Sequence, residues 1–149
     1  MKSKKPITIL MADDDADDRD MARDAFAESH LSNDLRFVED GVELMDYLKY
    51  RGKYSNPANA PRPGVILLDL NMPKKDGREA LTEIKSDPAL QEIPIIILTT
   101  SKQEEDILRS YRLHANSYIT KPVTFEALVQ VVAALGKYWL EIVELPEAV

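Results

Sequence analysis

The chain contains no cysteine, which excludes disulfide bonds, a thiol nucleophile and a zinc site built on thiolates. Its two histidines, His30 and His114, stand apart from each other, so neither is expected to ligate a metal. Long apolar runs are also missing, because the run at residues 7–12 is too short for a signal sequence or a membrane span. We therefore expect no membrane contact, and the cytoplasm is the expected compartment.

An excess of positive charge is absent as well. The chain has 26 acidic and 19 basic residues, a formal net charge of -7. This balance argues against a nucleic-acid partner and suits a cation or a basic protein surface. The length of 149 residues fits one domain, residues 1–149, with a core of its own.

Apolar segments alternate with segments of helical period along the chain. The apolar segments are continuous, which indicates strands that are covered on both faces. The pattern predicts an α/β fold, a doubly wound parallel sheet of five strands with helices on both sides. The predicted strands are residues 7–12, 35–39, 65–69, 93–100 and 117–122. The predicted helices are residues 14–29, 42–48, 78–86, 104–113 and 124–143.

Polar side chains stand at the carboxyl ends of four predicted strands. Asp13 and Asp14 follow the first strand, Asp69 ends the third, Thr99 ends the fourth and Lys121 follows the fifth. In a doubly wound sheet the functional crevice lies beyond these ends. Crowded carboxylates repel one another and need a hard cation, and oxygen ligands suit Mg²⁺.

The residue types at these strand ends predict phosphoryl chemistry. Asp69 can act as a nucleophile and form an aspartyl phosphate beside the cation. Lys121 offers a positive charge and Thr99 a hydroxyl donor to the phosphoryl oxygens, and phosphoryl transfer depends above all on such positioning and charge neutralisation. Successive side chains on a strand point to opposite faces, so Thr100 is the alternative to Thr99.

Four segments carry a resemblance to a known family. They are ILMADDD at residues 9–15, LLDLNMPKKDG at 67–77, ILTTS at 97–101 and SYITKP at 117–122. In this order, and at these strand ends, they resemble the receiver domain of response regulators, the CheY-like proteins of two-component signalling. The resemblance covers essentially the whole chain and implies a flavodoxin-like sheet of strand order 2-1-3-4-5.

The resemblance implies a role for each site residue. Asp69 accepts a phosphoryl group from a phosphohistidine on a sensor histidine kinase. Asp13 and Asp14, with Asp69 and the backbone carbonyl of Asn71, hold Mg²⁺. The protein is then a phosphoacceptor signalling domain with self-phosphorylation and slow self-dephosphorylation, and not a turnover enzyme.

The resemblance also implies a switch. A phosphoryl group adds negative charge and acceptor oxygens at one point. Thr99 moves toward it and Tyr118 rotates into the space behind, which changes the surface of the fourth helix, fifth strand and fifth helix, about residues 104–135. After Thr124 there is room for one helix and the tail 144–149, so we expect a stand-alone regulator that acts by contact.

The final predicted helix is longer than a short sheet needs for cover. Trp139, Ile142 and Val143 continue its apolar stripe, and such an overhang predicts a protein contact, with a homodimer as the favoured partner. The segments at residues 97–107 and 138–146 also resemble stand-alone regulators that partner bacterial and cyanobacterial phytochromes. That similarity implies a phytochrome-type kinase.

Three alternatives remain open at this stage. A haloacid-dehalogenase-like phosphatase shares the strand-end Asp, but needs a second Asp where Asn71 stands. A calcium loop could use Asp13, Asp15 and Asp17, but has Asp18 where it needs glycine. A pseudo-receiver would keep the fold without phosphorylation. Among the other acidic residues, Asp15 is expected to be a cap or a site neighbour. The residues expected to be solvated are Asp17, Asp18 and Asp20.

Overall fold

The computed structural model describes residues 7–29, 33–70, 72, 74–75, 77–99, 117–122 and 124–136. Five strands in these residues form one sheet in the order β2-β1-β3-β4-β5, with every neighbouring pair parallel. The predicted fold class and strand order are confirmed. The strands are β1 Thr8–Ala12, β2 Asp34–Val38, β3 Val65–Asp69, β4 Ile95–Thr99 and β5 Ser117–Thr120.

Four α-helices connect or flank these strands within the described residues. They are α1 Ala16–Glu28, α2 Gly41–Leu48, α3 Gly77–Ser86 and α4 Phe125–Leu135. The predicted loop at residues 50–64 contains two short 3-10 turns, Gly52–Tyr54 and Pro57–Asn59. The predicted helix at 104–113 and the end of the last helix lie outside the described residues. None of the helices described here is long and apolar enough to cross a membrane.

Side-chain caps decide where three of the helices begin. Asp15 accepts hydrogen bonds from the backbone N–H groups of the first turn of α1, so this helix starts at residue 16 and not at 14 as predicted. Asp40 caps α2 in the same way. Thr124 caps α4, as the sequence predicts. The caps satisfy N–H groups that the helix itself leaves without acceptors.

Each strand contributes alternate side chains to two separate cores, one on either side of the sheet. The α2/α3 face is the core cluster between the sheet and the helices α2 and α3, and the α1/α4 face is its counterpart beneath α1 and α4. Helices therefore cover both sides, which explains why the strands are continuous apolar runs. On β3 the α2/α3 face takes Ile66 and Leu68, whereas the α1/α4 face takes Val65 and Leu67.

Candidate functional site

The acidic residues that follow β1 and β3 meet at the carboxyl edge of the sheet. Ala12 pairs with Leu68 in register, so the next residues, Asp13 and Asp69, lie side by side. Both are buried, with 0% and 4% of their surface exposed, whereas Asp14 is exposed. One carboxylate oxygen from each of Asp13, Asp14 and Asp69 lies within 4.8 Å of the other two. The structure thus brings together the three carboxylates that the strand ends single out.

The backbone at Asp13 is fixed from three directions. Its N–H donates to the carbonyl of Val38 at 3.0 Å, which extends the sheet by one residue. Its Oδ1 accepts from the N–H of Asp15 at 2.9 Å, and its carbonyl accepts from Arg19 Nη1 at 2.9 Å. Arg19 is itself paired with Glu39 at 3.1 Å. These contacts hold the Asp13 carboxylate in a defined orientation.

Lys121, which follows β5, directs its ammonium into this group of carboxylates. Its Nζ lies 2.9 Å from Asp13 Oδ2, 3.1 Å from Asp69 Oδ2 and 2.9 Å from Asp18 Oδ2. Burial by itself lowers the pKa of Lys121, but the contacts with Asp13 and Asp18 and the charge of Asp69 outweigh it and raise the pKa above the ordinary lysine value. Lys121 is therefore a charged ammonium at neutral pH.

Asp13 carries a buried oxygen that suits a cation ligand. Burial raises the pKa of Asp13, and the contact with Lys121 and the N–H of Asp15 offset this rise only in part. Although Oδ2 is 2.9 Å from Lys121 Nζ, the geometry is not that of a hydrogen bond, and this buried oxygen has no hydrogen-bond donor. Desolvated carboxylate oxygens of this kind are stabilised by coordination to a hard divalent cation. The three clustered carboxylates therefore fit such an ion.

A comparison with known protein families identifies the family to which this fold and site belong. The model of the response regulator receiver domain matches residues 9–133. The chain belongs to this family. The two-component resemblance inferred from the strand ends is thereby confirmed.

The relatives of this receiver domain include phytochrome response regulators. Response regulator Rcp1 from Synechocystis is 42% identical over 99% of this chain and 98% of its own length. The phosphorylated cyanobacterial phytochrome response regulator RcpA has a structure with a TM-score of 0.80 and 46% identity, covering 91% of this chain and 95% of its own. The Mn²⁺-bound form of Rcp1 matches with a TM-score of 0.78 and 42% identity over 92% of this chain and 96% of its own.

The chain is therefore a receiver-domain response regulator of phosphorelay signalling and not a classical enzyme. Its acidic pocket is of the kind that receiver domains use for a divalent metal. The family match argues against the phosphatase alternative. The calcium-loop alternative fails as well, because the strand β1, and not a helix, leads into Asp13.

Asp18 corrects one prediction. It was expected to be solvated, but its carboxylate contacts Lys121, whereas Asp17 and Asp20 are exposed as predicted. Asp18 is the third residue of α1, and side chains at that position lean back toward the helix start. Since α1 starts at the acidic site, this position faces Lys121. Its place three residues after the cap was the signal that could have identified it.

The remaining predicted residues are only partly described. Thr99 ends β4 and pairs in register with Thr120, one residue beyond the pair formed by Asp69 and Leu98. Tyr118 is half-buried and packs against the α2/α3 face. The predicted residues that lie outside the described part of the chain are Asn71, Thr100, Trp139, Ile142 and Val143.

Two glycines allow helix starts to approach the loop after β3 closely. A Cβ on Gly77 would lie 2.6 Å from both the carbonyl oxygen of Asp69 and the Cα of Leu70, so only glycine fits. The N–H of Gly77 donates to the carbonyl of Leu70 at 3.0 Å. A Cβ on Gly41 would overlap the carbonyl oxygen of Lys75. The helices α2 and α3 are thus packed directly against the segment that follows Asp69.

Proposed function

We propose that Asp69 is the phosphoacceptor, and that it receives its phosphoryl group from a phosphohistidine of a phytochrome-type sensor histidine kinase in a Mg²⁺-dependent reaction. The observation that carries the proposal is the Lys121 ammonium, 3.1 Å from the buried Asp69 carboxylate within the acidic cluster. The similarity to RcpA supports it, since RcpA is a cyanobacterial phytochrome response regulator that was crystallised in its phosphorylated form.

The transfer follows from the positions of the side chains. An oxygen of Asp69 forms a bond to phosphorus, the P–N bond to the donor imidazole breaks, and that nitrogen keeps the electron pair. Lys121 balances the negative charge of the phosphoryl oxygens beside the buried carboxylates of Asp13 and Asp69. Acetyl phosphate serves as a donor by the same attack, and slow hydrolysis of the aspartyl phosphate ends the signal.

We assign the cation to Asp13, Asp14, Asp69 and the backbone carbonyl of Asn71, and Mg²⁺ is the cation that such oxygen ligands favour. When bound, it neutralises the carboxylates and polarises the phosphoryl group. The clustering of three carboxylates and the buried Oδ2 of Asp13, which accepts no hydrogen bond, support this assignment.

The output of the receiver domain is proposed to run through Thr99 and Tyr118. Thr99 is placed by its strand register at the edge where Asp69 ends, and it would donate to the phosphoryl group. Tyr118 would then turn inward and alter the surface at residues 104–135. Its half-buried position against the α2/α3 face is consistent with such a rotation.

We further propose that residues 1–149 act as one receiver domain in the cytoplasm and form a homodimer through Trp139, Ile142 and Val143. The apolar stripe at helical spacing, beyond the length that the sheet needs for cover, supports a contact of this kind.

The phosphoacceptor is tested with acetyl phosphate and Mg²⁺ on the wild type, Asp69→Asn and Asp20→Asn. Intact mass should show one added phosphoryl group, stable to acid and labile to base, in the wild type and in Asp20→Asn but not in Asp69→Asn. Asp20 is a matched control, because it is an exposed carboxylate of α1. A wild type that stays unlabelled with Mg²⁺ present would establish a pseudo-receiver instead.

The partners are tested in two further measurements. A phosphorylated phytochrome-type kinase should pass its label to this receiver domain faster than an unrelated histidine kinase does. Light scattering should show a dimer that Trp139→Ala weakens. Equal transfer rates from both kinases, or a monomer in both phosphorylation states, would refute the kinase and dimer assignments respectively.

A further inference from the structure

The carboxylate of Asp18 shares the ammonium of Lys121 with the acidic site. Asp18 Oδ2 and Asp13 Oδ2 are each 2.9 Å from Lys121 Nζ, and Asp69 Oδ2 is 3.1 Å away. The ammonium therefore contacts one carboxylate of helix α1 and two carboxylates of the cation cluster. Asp18 is the more accessible partner, with 37% of its side chain exposed, compared with 0% for Asp13 and 6% for Asp69.

The acidic residues of the site outnumber its cations, so sharing the Lys121 ammonium with Asp18 weakens its interaction with the other carboxylates. Among the described residues of this site, three carboxylates contact one ammonium, and a fourth, that of Asp14, belongs to the same acidic cluster. Arg19, a second cation described at this site, donates to the Asp13 carbonyl and pairs with Glu39, so its guanidinium is engaged by groups other than the clustered carboxylates. Lys121 is thus the charge that the carboxylates compete for.

We propose that Asp18 is a positioning residue for Lys121. Its carboxylate draws the ammonium away from Asp13, Asp69 and the phosphoryl oxygens, which strengthens the binding of the cation and weakens the binding of the phosphoryl group. The inference rests on the proposed function of Asp69. It makes Asp18 a regulator of the occupancy of the site and not a ligand of either group.

The effect on the cation follows from competition for the same carboxylates. Asp13 and Asp69 belong to the carboxylate cluster that fits a divalent ion, and Lys121 contacts both. Without the Asp18 charge, the ammonium of Lys121 is ion-paired with these two carboxylates alone. An entering cation must then displace a more tightly held ammonium, and the site has also lost one negative charge.

The effect on the phosphoryl group has the opposite sign. A phosphoryl group is an anion, and the Asp18 carboxylate both repels it and holds part of the ammonium that should stabilise it. With this carboxylate neutralised, Lys121 is free to interact fully with the phosphoryl oxygens. Beryllofluoride, which mimics the phosphoryl group on an aspartate, should then bind more tightly.

The position of Asp18 is rigid enough for this role. It is the third residue of α1, whose start is fixed by the Asp15 cap, with hydrogen bonds of 2.8 Å from the N–H of Asp17 and 3.2 Å from that of Asp18. Pro122 follows Lys121 directly and restricts its backbone. A short side chain on a capped helix therefore meets a lysine on a restricted segment.

The test compares Asp18→Asn and Asp18→Glu with the wild type and with Asp17→Asn. Asp17 is the adjacent, exposed carboxylate of the same helical turn, so its substitution removes the same charge from the helix start without touching Lys121. Calorimetry measures the dissociation constant of Mg²⁺ alone, and then that of beryllofluoride at saturating Mg²⁺. Far-ultraviolet circular dichroism verifies that each variant is folded.

We expect Asp18→Asn to raise the Mg²⁺ dissociation constant and to lower the beryllofluoride dissociation constant, each by about fivefold, the upper range for a partly exposed ion pair. Asp18→Glu should return both constants toward the wild-type values. Asp17→Asn should leave both close to wild type. Opposite shifts for the two ligands are the diagnostic result, because a loss of local structure would weaken both.

Two results would overturn the inference separately from the proposed function. Equal constants for Asp18→Asn and Asp17→Asn, or weaker binding of both ligands by Asp18→Asn, would refute the role of Asp18 while the phosphoacceptor assignment stands. A wild type that binds neither Mg²⁺ nor beryllofluoride would refute the proposed function, and the role of Asp18 with it.

Discussion

The two sides of the sheet are packed differently. Among the described residues, eleven large side chains are fully buried, and ten of them belong to the α2/α3 face, Ile96 being the exception. The α1/α4 face instead contains a cavity of about 50 Å³ between the two helices and the sheet. Within the described residues, the α2/α3 face is therefore the more fully buried side, and the α1/α4 face has unfilled space.

The unfilled space adjoins the chemistry. Asp13, Asp18 and Lys121 line the cavity together with apolar side chains such as Met21 and Leu128. Side chains around a cavity can move at lower cost than those in a filled core. The comparison therefore suggests that the α2/α3 face supplies most of the stability, while the α1/α4 face lets the groups around Lys121 adjust.

The strongest test of the difference between the two faces uses two adjacent leucines on β3. Leu68 is fully buried on the α2/α3 face, and Leu67 borders the cavity on the other. We expect Leu68→Ala to lower the free energy of unfolding by about 3–5 kcal/mol and Leu67→Ala by about 2–3 kcal/mol, since truncation costs most where surrounding contacts are complete. Urea unfolding measures both, and equal losses would show that the two faces are equally filled.

Adding one methyl group tests the filled face from the opposite direction. Gly77→Ala would place its Cβ against the backbone of Asp69 and Leu70, which cannot yield as a flexible side chain can. We expect a loss of about 1–3 kcal/mol in the free energy of unfolding. Arg78→Ala, at the next and exposed position of α3, is the control and should change it little. A stabilised Gly77→Ala variant would mean that helix propensity outweighs the close approach.

The contrast between the faces also marks how far the sequence alone can predict this protein. Parallel pairing and the convergence of Asp13, Asp69 and Lys121 followed from continuous apolar runs that end in polar residues, because all parallel strands end at the same edge, whereas the strand order followed from the family resemblance. This information is local to each strand and its end. The cavity depends on how helices from distant parts of the chain sit on the sheet, which periodicity does not specify.

Asp18 shows the same limit at the scale of one side chain. The acidic run at residues 13–20 contains carboxylates of three kinds, and composition does not separate them. What separates them is the position of the cap. Because Asp15 is the N-cap of α1, the helix begins at the next residue, and its helical phase turns Asp18 toward Lys121 and leaves Asp17 in solvent. The start of α1 was predicted one residue before Asp15, so the phase of this turn was missed.

A polar network around Glu43 lies at the edge of the α2/α3 face, and acid disrupts it by protonating the Glu43 carboxylate. Glu43 Oε2 accepts from Tyr54 at 2.6 Å and lies 2.7 Å from Lys53 Nζ, while Oε1 accepts from the Glu39 N–H. Burial raises the pKa of Glu43, but these hydrogen bonds outweigh it and hold the pKa below its usual 4.5. Since the folded-state pKa is lowered, this stabilisation is present above pH 4.5 and is lost as the pH falls through the folded-state value.

Substitution of Glu43 should therefore matter only when the carboxylate is ionised. We expect Glu43→Gln to cost about 1 kcal/mol of unfolding free energy at pH 7 and progressively less in acid. Urea unfolding at a series of pH values measures the difference. Asp24→Asn, an exposed carboxylate in the middle of α1, should show no such convergence. A constant difference between wild type and Glu43→Gln across this range would contradict the role of the ionised network.

The smallest expected effect comes from filling the cavity. Val132 is 2% exposed on α4 and lines the space, so the extra methyl group of Val132→Ile has room there. We expect an increase of about 0.5–1 kcal/mol in the free energy of unfolding, as cavity-filling changes commonly give. The same change at Val38, which is fully buried on the α2/α3 face, should instead destabilise, because an added carbon in a filled core forces its neighbours to shift. Opposite signs for one chemical change would establish that the unfilled space near Lys121 belongs to the α1/α4 face, whereas the same sign at both positions would remove the contrast.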